Sequence, residues 1–422
     1  IAVDSSTLFP LASLTKIYSA VLLMQAQENQ QLNLNDPIKK YLPNLRVSDS
    51  IRLRHVLSHT SQGEVGEAFY YSYRFGWLTK ALEAASGMSF DSLMQRQIFD
   101  QLDLQDTYLL EDSAQAASLN LAQPYFYEGE AQPGFVDYGY SASAGLTATL
   151  RDLARFDRAL DGNELIKESS KKLMFSPFKK GLPYGYGIFS QEYAGKKLVW
   201  AYGQYDCYAS LILKVPSEEI TLMAVANNNL MSDPPRLING YAPSSLFVLS
   251  FLKNYVFEIP DRPLWENPDS LGAAPSEFSE VYRDKIIAQA LAASFMARFE
   301  DAELEKSKKL LSHLFAEFPD YKAYGTGALM HAMSFQKTVA FHKELGAFSH
   351  FDTQMEELGK HLLAQDPQNP YLHLYLGGLY DDQGKMVEAR AQYQSIVEAQ
   401  NFSPFWYIRE AQNWLKEHPP EN

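Results

Sequence analysis

A proline-rich stretch divides the chain into two parts with different residue patterns. Residues 259–275 contain four prolines. Because proline fixes φ and has no backbone N–H, this stretch disfavours both helix and sheet. Residues 1–258 mix helical and strand patterns, whereas residues 276–422 are helical in pattern throughout. The sequence therefore predicts two folded domains joined by a linker at residues 259–275.

Charge and cysteine content exclude several classes of protein. The net charge is −14, and no run of Lys or Arg occurs, so nucleic-acid binding and docking on anionic lipid are disfavoured. Cys207 is the only cysteine, which excludes an intramolecular disulfide and a Cys-rich zinc site. No stretch reaches the roughly 18–20 apolar residues that span a bilayer. We expect no nucleic-acid partner, no transmembrane segment in this chain, no cofactor and no metal.

The first domain combines amphipathic helices with a later run of short strands. Apolar spacing predicts helices at residues 13–27, 75–85 and 152–160. Short β-branched or aromatic segments separated by turn residues predict strands at residues 186–192, 198–202, 208–215 and 220–226. Consecutive short strands that follow helices indicate an α+β fold with an antiparallel sheet flanked by helices.

The second domain carries a repeated helix-pair pattern. Its best copy places Gly377, Tyr380, Gly384, Ala389 and Tyr393 at spacings that resemble the tetratricopeptide repeat, whose small and aromatic residues lock two antiparallel helices together. We predict an all-α helical-repeat domain with pairs at residues 280–319, 322–367 and 370–404, followed by a capping helix at residues 406–415. Such a domain is a candidate surface for a peptide or protein partner.

The strongest local signal for catalysis is the sequence Ser-Leu-Thr-Lys at residues 13–16. Positions i and i+3 share one helix face, so the hydroxyl of Ser13 and the amine of Lys16 can meet. A serine hydroxyl becomes a nucleophile when a base accepts its proton, and burial can lower a lysine pKa enough for that task. Ser13 is also predicted at the first helical turn, where free N–H groups stabilise an oxyanion. The motif alone occurs often by chance.

The order of further motifs resembles the serine β-lactamase and penicillin-binding-protein superfamily, closest to its class C β-lactamase, DD-peptidase and esterase branch. The resemblance covers about residues 7–256. It is carried, besides Ser13 and Lys16, by residues 53–61, 87–90, 106–109, 144–156 and 182–187. It implies a β-lactamase-like sheet flanked by helices and a serine hydrolase that works through an acyl-enzyme. Family members usually have a longer segment before the serine–lysine motif, which lies here at residues 13–16. The first strands of the sheet are therefore expected to be missing.

The second motif of the family, Tyr-x-Asn, is altered. Counting forward from Gly66 makes Tyr71 the motif tyrosine, whereas counting back from the following helix makes it Tyr70. The asparagine is absent in either alignment, although Ser72 keeps a hydroxyl near its place. Because a phenol has a pKa near 10, the tyrosine exchanges a proton with Ser13 only if nearby cations lower that pKa.

The third motif of the family, Lys-Thr-Gly or His-x-Gly, has lost its cation. Gln204 is the first choice for the position of the cation and Tyr202 the second, and Asp206 adds a negative charge nearby. A neutral amide binds substrate without neutralising a carboxylate, so β-lactam and D-Ala-D-Ala carboxylates lose their usual partner. The resemblance implies that the backbone N–H near Cys207 supplies the second oxyanion donor. We therefore predict Ser72, Tyr202, Gln204, Asp206 and Cys207 as substrate-binding positions.

Two functions follow from these features. In the leading interpretation, Ser13, Lys16 and Tyr70 or Tyr71 catalyse hydrolysis of an uncharged ester or amide outside the cytoplasm of a bacterium, and a peptidoglycan-related compound is one candidate substrate. In the rival, the altered motifs belong to an inactive β-lactamase-like scaffold whose helical repeats bind a peptide or protein. Placement of both the Lys16 amine and a tyrosine hydroxyl within about 3.2 Å of the Ser13 hydroxyl favours the enzyme.

His55 and His59 have metal-ligand spacing but no third ligand, and the corresponding segment of the resembled family is structural.

Overall fold

A computed structural model of the chain describes residues 3–259, 266–321 and 326–419. The chain forms two compact units, of which the first comprises residues 1–61, 65–233 and 255–257, and the second comprises residues 62–64, 234–254 and 258–422. Residues 260–265 of the predicted linker lie outside the described part. No described helix is both long enough and apolar enough to cross a bilayer.

The division between the units differs from the boundary at residue 258 that the proline-rich stretch suggested. Residues 234–254 group with the helical unit. One reason is a buried polar contact in which the Tyr241 hydroxyl donates to Asp284 Oδ2 at 2.8 Å, next to the ion pair of Arg283 and Asp284. Such a contact, between residues 43 positions apart, leaves no local signature in the sequence.

The first unit contains three separate β structures. Its strands are β1 (Phe9–Ala12), β2 (Thr107–Leu109), β3 (Tyr125–Tyr127), β4 (Ala131–Pro133), β5 (Leu146–Ala148), β6 (Phe189–Tyr193), β7 (Lys196–Gln204), β8 (Ala209–Val215) and β9 (Ile220–Ala226). Strands β6 to β9 form an antiparallel sheet in chain order, β1, β5 and β2 form a second antiparallel sheet with β5 in the middle, and β3 pairs with β4. The antiparallel sheet and its four predicted strands are confirmed.

Helices accompany these strands. They are α1 (Thr15–Glu28), α2 (Leu53–Leu57), α3 (Trp77–Ser86), α4 (Phe90–Met94), α5 (Asp100–Leu102), α6 (Ser113–Ser118), α7 (Leu150–Asp161) and α8 (Glu168–Met174). The three predicted helices correspond to α1, α3 and α7. Helix α1 is buried on nearly every face, whereas its apolar spacing suggested one polar side. A helix surrounded by the core holds its side chains in fixed positions, which matters for the residues at its start.

The second unit is helical, as predicted. After α9 (Leu246–Tyr255) come α10 (Ser279–Met296), α11 (Asp301–Glu317), α12 (Thr326–His342), α13 (Asp352–Gln365), α14 (Pro370–Asp382), α15 (Met386–Glu398) and α16 (Trp406–Glu417). Gly377 lets α14 approach α15, because a side chain there would begin 3.0 Å from the ring of Tyr393. This is the small-against-aromatic contact that the repeat pattern predicted, and assignment to the tetratricopeptide class stays a prediction.

Gly203 is required where three strands meet. It lies on β7 opposite Ser210 of β8, and Ser210 Oγ donates to Leu11 O of β1 at 2.7 Å. A Cβ atom at Gly203 would lie 2.0 Å from the same Leu11 carbonyl oxygen. Only glycine allows β7 to pass this close to the segment that precedes Ser13.

We expect Gly203→Ala to destabilise the protein by about 3 kcal/mol or more, because backbone atoms on both sides must move to make room. Gly76→Ala is the matched control, since a Cβ atom there meets its nearest neighbour at 3.6 Å. Its effect should stay within about 1 kcal/mol. Urea denaturation of both variants measures the difference, and equal midpoints would contradict the tight crossing.

Candidate active site

Ser13 lies at the turn where β1 leads into α1. The pairing of β1 with β5 is irregular between Pro10 and Ala12, and Ala12 has a left-handed φ of 46°. A non-glycine residue in this conformation is strained, and such residues cluster at functional sites. The turn leaves Ser13 partly exposed just before α1, one residue before its N-cap Leu14, whereas the sequence predicted Ser13 within the first helical turn.

The side chain of Lys16 reaches back to Ser13. Its Nζ donates to Ser13 Oγ at 2.8 Å and to the backbone carbonyl of Ser143 at 2.9 Å. Two neighbouring residues fix the same face of α1, because Thr15 Oγ1 accepts from Leu146 N at 3.0 Å and Ser19 Oγ donates to Ala142 O at 2.8 Å. The amine therefore has little freedom to move away from the serine.

Lys16 is a buried cation without a carboxylate partner among the described residues. Its side chain is 3% exposed, and no salt bridge in the described chain includes it. Burial lowers the pKa of Lys16 from 10.5 to about 7 because water no longer stabilises the ammonium form. Half of the molecules therefore carry a neutral amine near neutral pH, which can accept the proton of Ser13.

Tyr71 is the tyrosine that the structure brings to Ser13. Its side chain interacts with that of Ser13, whereas the amide of the buried Tyr70 donates to His59 O at 2.9 Å. Burial raises the pKa of Tyr71, and the neighbouring Ser13 hydroxyl opposes part of that rise. The phenol is therefore protonated at neutral pH, which makes the Lys16 amine a better candidate for a base than Tyr71.

The rest of the second motif has a structural role. Ser72 caps the short 3₁₀ turn Tyr73–Gly76, because its hydroxyl accepts from Arg74 N at 3.1 Å. Tyr73, two residues after Tyr71, is 54% exposed. The Lys16 amine is bordered by rings, since its Nζ lies 4.8 Å from the centroid of Tyr71 and 5.5 Å from that of Phe75. Ring faces attract a cation.

The third-motif residues have different environments. Tyr202 is buried on β7 with its ring 5.9 Å from that of Tyr71, which brings it to the catalytic group. Gln204 ends β7 and is exposed, as is Asp206 in the following turn. Cys207 is fully buried, and its thiol accepts from Phe135 N at 3.4 Å, so its side chain packs in the core. Substrate binding by these positions, and by Ser72, stays a prediction.

Each of the two histidines accepts a hydrogen bond from a backbone amide. Among the residues that the structure describes, no group of three or more His, Cys, Asp or Glu side chains is arranged to hold a metal ion. The Nδ1 atom of His55 accepts from Arg52 N at 3.1 Å, and that of His59 accepts from Ser72 N at 3.0 Å. Both rings are therefore engaged by backbone amides.

Sequence reasoning missed three neighbours of the catalytic group. Ser143 contributes only a backbone carbonyl, which any residue type could supply. Phe75 was identified as the start of a helix, and its ring near Lys16 depends on the 3₁₀ turn. His59 was considered as a metal ligand, although its ring stacks on Tyr71 with centroids 4.3 Å apart. None of these contacts has a local sequence signal.

The profile of the Beta-lactamase family matches residues 1–240, which is more than half of the chain and includes Ser13, Lys16 and Tyr71. The chain belongs to the Beta-lactamase family. Membership confirms the α+β, β-lactamase-like fold inferred from the order of motifs.

Known proteins similar to this Beta-lactamase family member include penicillin-binding protein 4* of Bacillus subtilis, which is 22% identical over 365 residues, covering 74% of this chain and 79% of the relative. Teichoic acid D-alanine hydrolase of Staphylococcus aureus is 25% identical over 203 residues, covering 41% of this chain. The chain spans about half of the length of that second relative, 48%. The octameric penicillin-binding protein homologue from Pyrococcus abyssi has a similar structure, with a TM-score of 0.54, 21% identity, and coverage of 68% of this chain and 71% of that one.

We expect labelling of Ser13 by a fluorophosphonate to accelerate with rising pH, with a midpoint near pH 7, and to level off at higher pH. Below that midpoint Lys16, with its pKa of about 7, is protonated and cannot accept the serine proton. Intact-mass kinetics between pH 5 and 9 measure the profile. Lys16→Met fills the same space without an amine and should reduce labelling by about 10²–10⁴-fold. A rate independent of pH, or a midpoint near 10, would contradict a lysine base with a lowered pKa.

Proposed function

We propose that this Beta-lactamase family member is a serine hydrolase that forms an acyl-enzyme on Ser13. The observation that carries the proposal is the hydrogen bond at the start of α1, in which Lys16 Nζ donates to Ser13 Oγ at 2.8 Å, together with the interaction of the Tyr71 side chain with the same serine. The altered second and third motifs leave this set of three residues in place. The distance between the serine and the lysine supports the enzyme over the inactive scaffold.

The reaction uses the two neighbours of Ser13 differently. Neutral Lys16 accepts the Oγ proton while Oγ forms a bond to the substrate carbonyl carbon. Tyr71, a protonated phenol, donates a proton to the leaving alcohol or amine as its bond to carbon breaks, and Lys16 returns a proton to Tyr71. Water then forms a bond to the acyl carbon and gives one proton to neutral Lys16. The bond between the acyl carbon and Ser13 Oγ breaks to release the acid, and Lys16 passes its proton to Ser13 Oγ.

The oxyanion is expected to bind backbone N–H groups. The Ser13 amide at the start of α1 is one candidate, because helix N-termini carry unpaired donors and a partial positive charge. The second is a donor of the turn around Cys207, which follows β7. This assignment rests on the family resemblance.

An uncharged acyl group or one without a carboxylate next to the scissile bond suits the site best. Residues 201–208 contain no Lys, Arg or His, and Asp206 is exposed among them. One relative is a hydrolase of D-alanine on teichoic acid and another is a penicillin-binding protein, which supports an ester or amide of the bacterial cell envelope as substrate and a location outside the cytoplasm.

A second candidate is a scaffold without catalytic activity. It is favoured by the exposed Tyr73 at the end of the second motif and by the cation-free third motif. The helical unit would then bind a peptide or protein partner. Retention of the Ser13, Lys16 and Tyr71 set favours the enzyme.

We expect a fluorophosphonate to add one adduct to the full chain, located at Ser13 by peptide mapping. Ser13→Ala should abolish the adduct, whereas Ser72→Ala, which removes the serine hydroxyl of the second motif, should retain it. An unlabelled, folded wild-type protein would exclude the hydrolase and favour the scaffold.

We also expect neutral esters to acylate the protein faster than benzylpenicillin. The carboxylate of penicillin finds no cation at the third motif, and one charge-assisted hydrogen bond is worth about 1.5–3 kcal/mol. Gln204→Lys should therefore raise penicillin acylation about tenfold or more, with little change for a neutral ester. Gln105→Lys places the same charge on another exposed position and should have no effect. Equal gains for both substrates would contradict carboxylate recognition at Gln204.

A further inference from the structure

His59 contacts three consecutive residues of the second motif. Its carbonyl accepts from Tyr70 N at 2.9 Å, its ring stacks on Tyr71 with centroids 4.3 Å apart and planes 28° apart, and its Nδ1 accepts from Ser72 N at 3.0 Å. The three contacts restrain Tyr71 in different ways. Two of them fix the backbone of the residues before and after it, and the third packs against its ring.

The state of the His59 ring follows from its contacts. Burial, together with the nearby Lys16 cation, holds the pKa of His59 well below its usual value, so the imidazole is neutral. Because Nδ1 accepts a hydrogen bond, the ring proton is on Nε2. That atom is buried and has no hydrogen-bond partner among the described residues.

The conformation and contacts of His59 therefore reduce the stability of the fold. It leaves a buried polar N–H unpaired, and its φ of 56° is a conformation that few non-glycine residues adopt. Local costs of this kind are expected at functional positions, where geometry is selected over stability.

We propose that His59 is a positioning residue that fixes the Tyr71 phenol against Ser13. The proposal rests on the hydrolase function proposed above, and it assigns His59 no contact with substrate. The ring stack limits rotation of the Tyr71 side chain, and the Nδ1 bond fixes the backbone that follows it. Small displacements of a catalytic group reduce rates strongly, so loss of either contact should slow acylation of Ser13.

Two substitutions separate the two contacts. In His59→Asn, the amide oxygen lies where Nδ1 was, can still accept from Ser72 N and tolerates positive φ, while the ring is lost. In His59→Phe, a ring remains for stacking but the acceptor is lost. His55→Asn is the matched control, because His55 Nδ1 also accepts a backbone amide, that of Arg52, and its recorded ring contact is with Phe178.

The test measures fluorophosphonate labelling of the full chain for wild type, these variants and their combinations with Tyr71→Phe. We expect His59→Asn and His59→Phe to label about tenfold or more slowly, His55→Asn to label like wild type, and the His59 variants to add no loss in the Tyr71→Phe background. Thermal unfolding of each variant shows that the compared proteins are folded. Wild-type rates in both His59 variants, or losses that persist undiminished without the Tyr71 hydroxyl, would overturn the proposal.

A second measurement separates this proposal from the hydrolase assignment. In protein with ¹³C-labelled tyrosine, the Tyr71 ring resonance is identified by its loss in Tyr71→Phe. Both His59 variants should shift it, and His55→Asn should not. If the wild-type protein is never labelled, the hydrolase assignment is rejected. The positioning role of His59 is then tested by the shift of the Tyr71 resonance alone. An unchanged Tyr71 resonance in both His59 variants would overturn it.

Discussion

Burial of the Lys16 amine is the constraint on which the site depends. The side chain is removed from water without a paired carboxylate in the described chain, so its remaining partners are Ser13 Oγ, the Ser143 carbonyl and nearby ring faces. A buried amine in such surroundings is easily deprotonated, which is the property that the proposed role of Lys16 as a base requires. The core that encloses α1 is thus part of the basis for the proposed chemistry.

The same core explains why the altered second and third motifs leave Ser13 and Lys16 in place. Thr15 and Ser19 join α1 to the loop that carries Ser143, and Gly203 allows β7 to lie against the segment before Ser13. These contacts use backbone atoms and small hydroxyls, which do not depend on the second and third motifs. Loss of the asparagine and of the cation therefore changes what surrounds the nucleophile more than how it is held.

Aromatic side chains surround Tyr71 in the region where the polar residues of the family motifs are absent. Tyr71 lies among Tyr184, Phe189 and Tyr202, with ring centroids 5.9–6.3 Å away, and against His59. This enclosure raises the pKa of Tyr71 and keeps its phenol protonated. The proposed division of roles between a lysine base and a tyrosine acid rests on burial, because desolvation shifts the two pKa values in opposite directions.

The sequence by itself determined the fold class, the four strands of the main sheet, the helical second unit, and the meeting of Ser13 with Lys16. Each depends on local periodicity or on a fixed spacing along a helix. Only the tertiary structure favoured Tyr71 over Tyr70 as the neighbour of Ser13 and grouped residues 234–254 with the helical unit. It also placed Ser143 and Phe75 next to Lys16, and His59 against Tyr71. Those outcomes depend on contacts between residues far apart in the chain or on the direction of a side chain after a turn, and neither is encoded in any short stretch of residues.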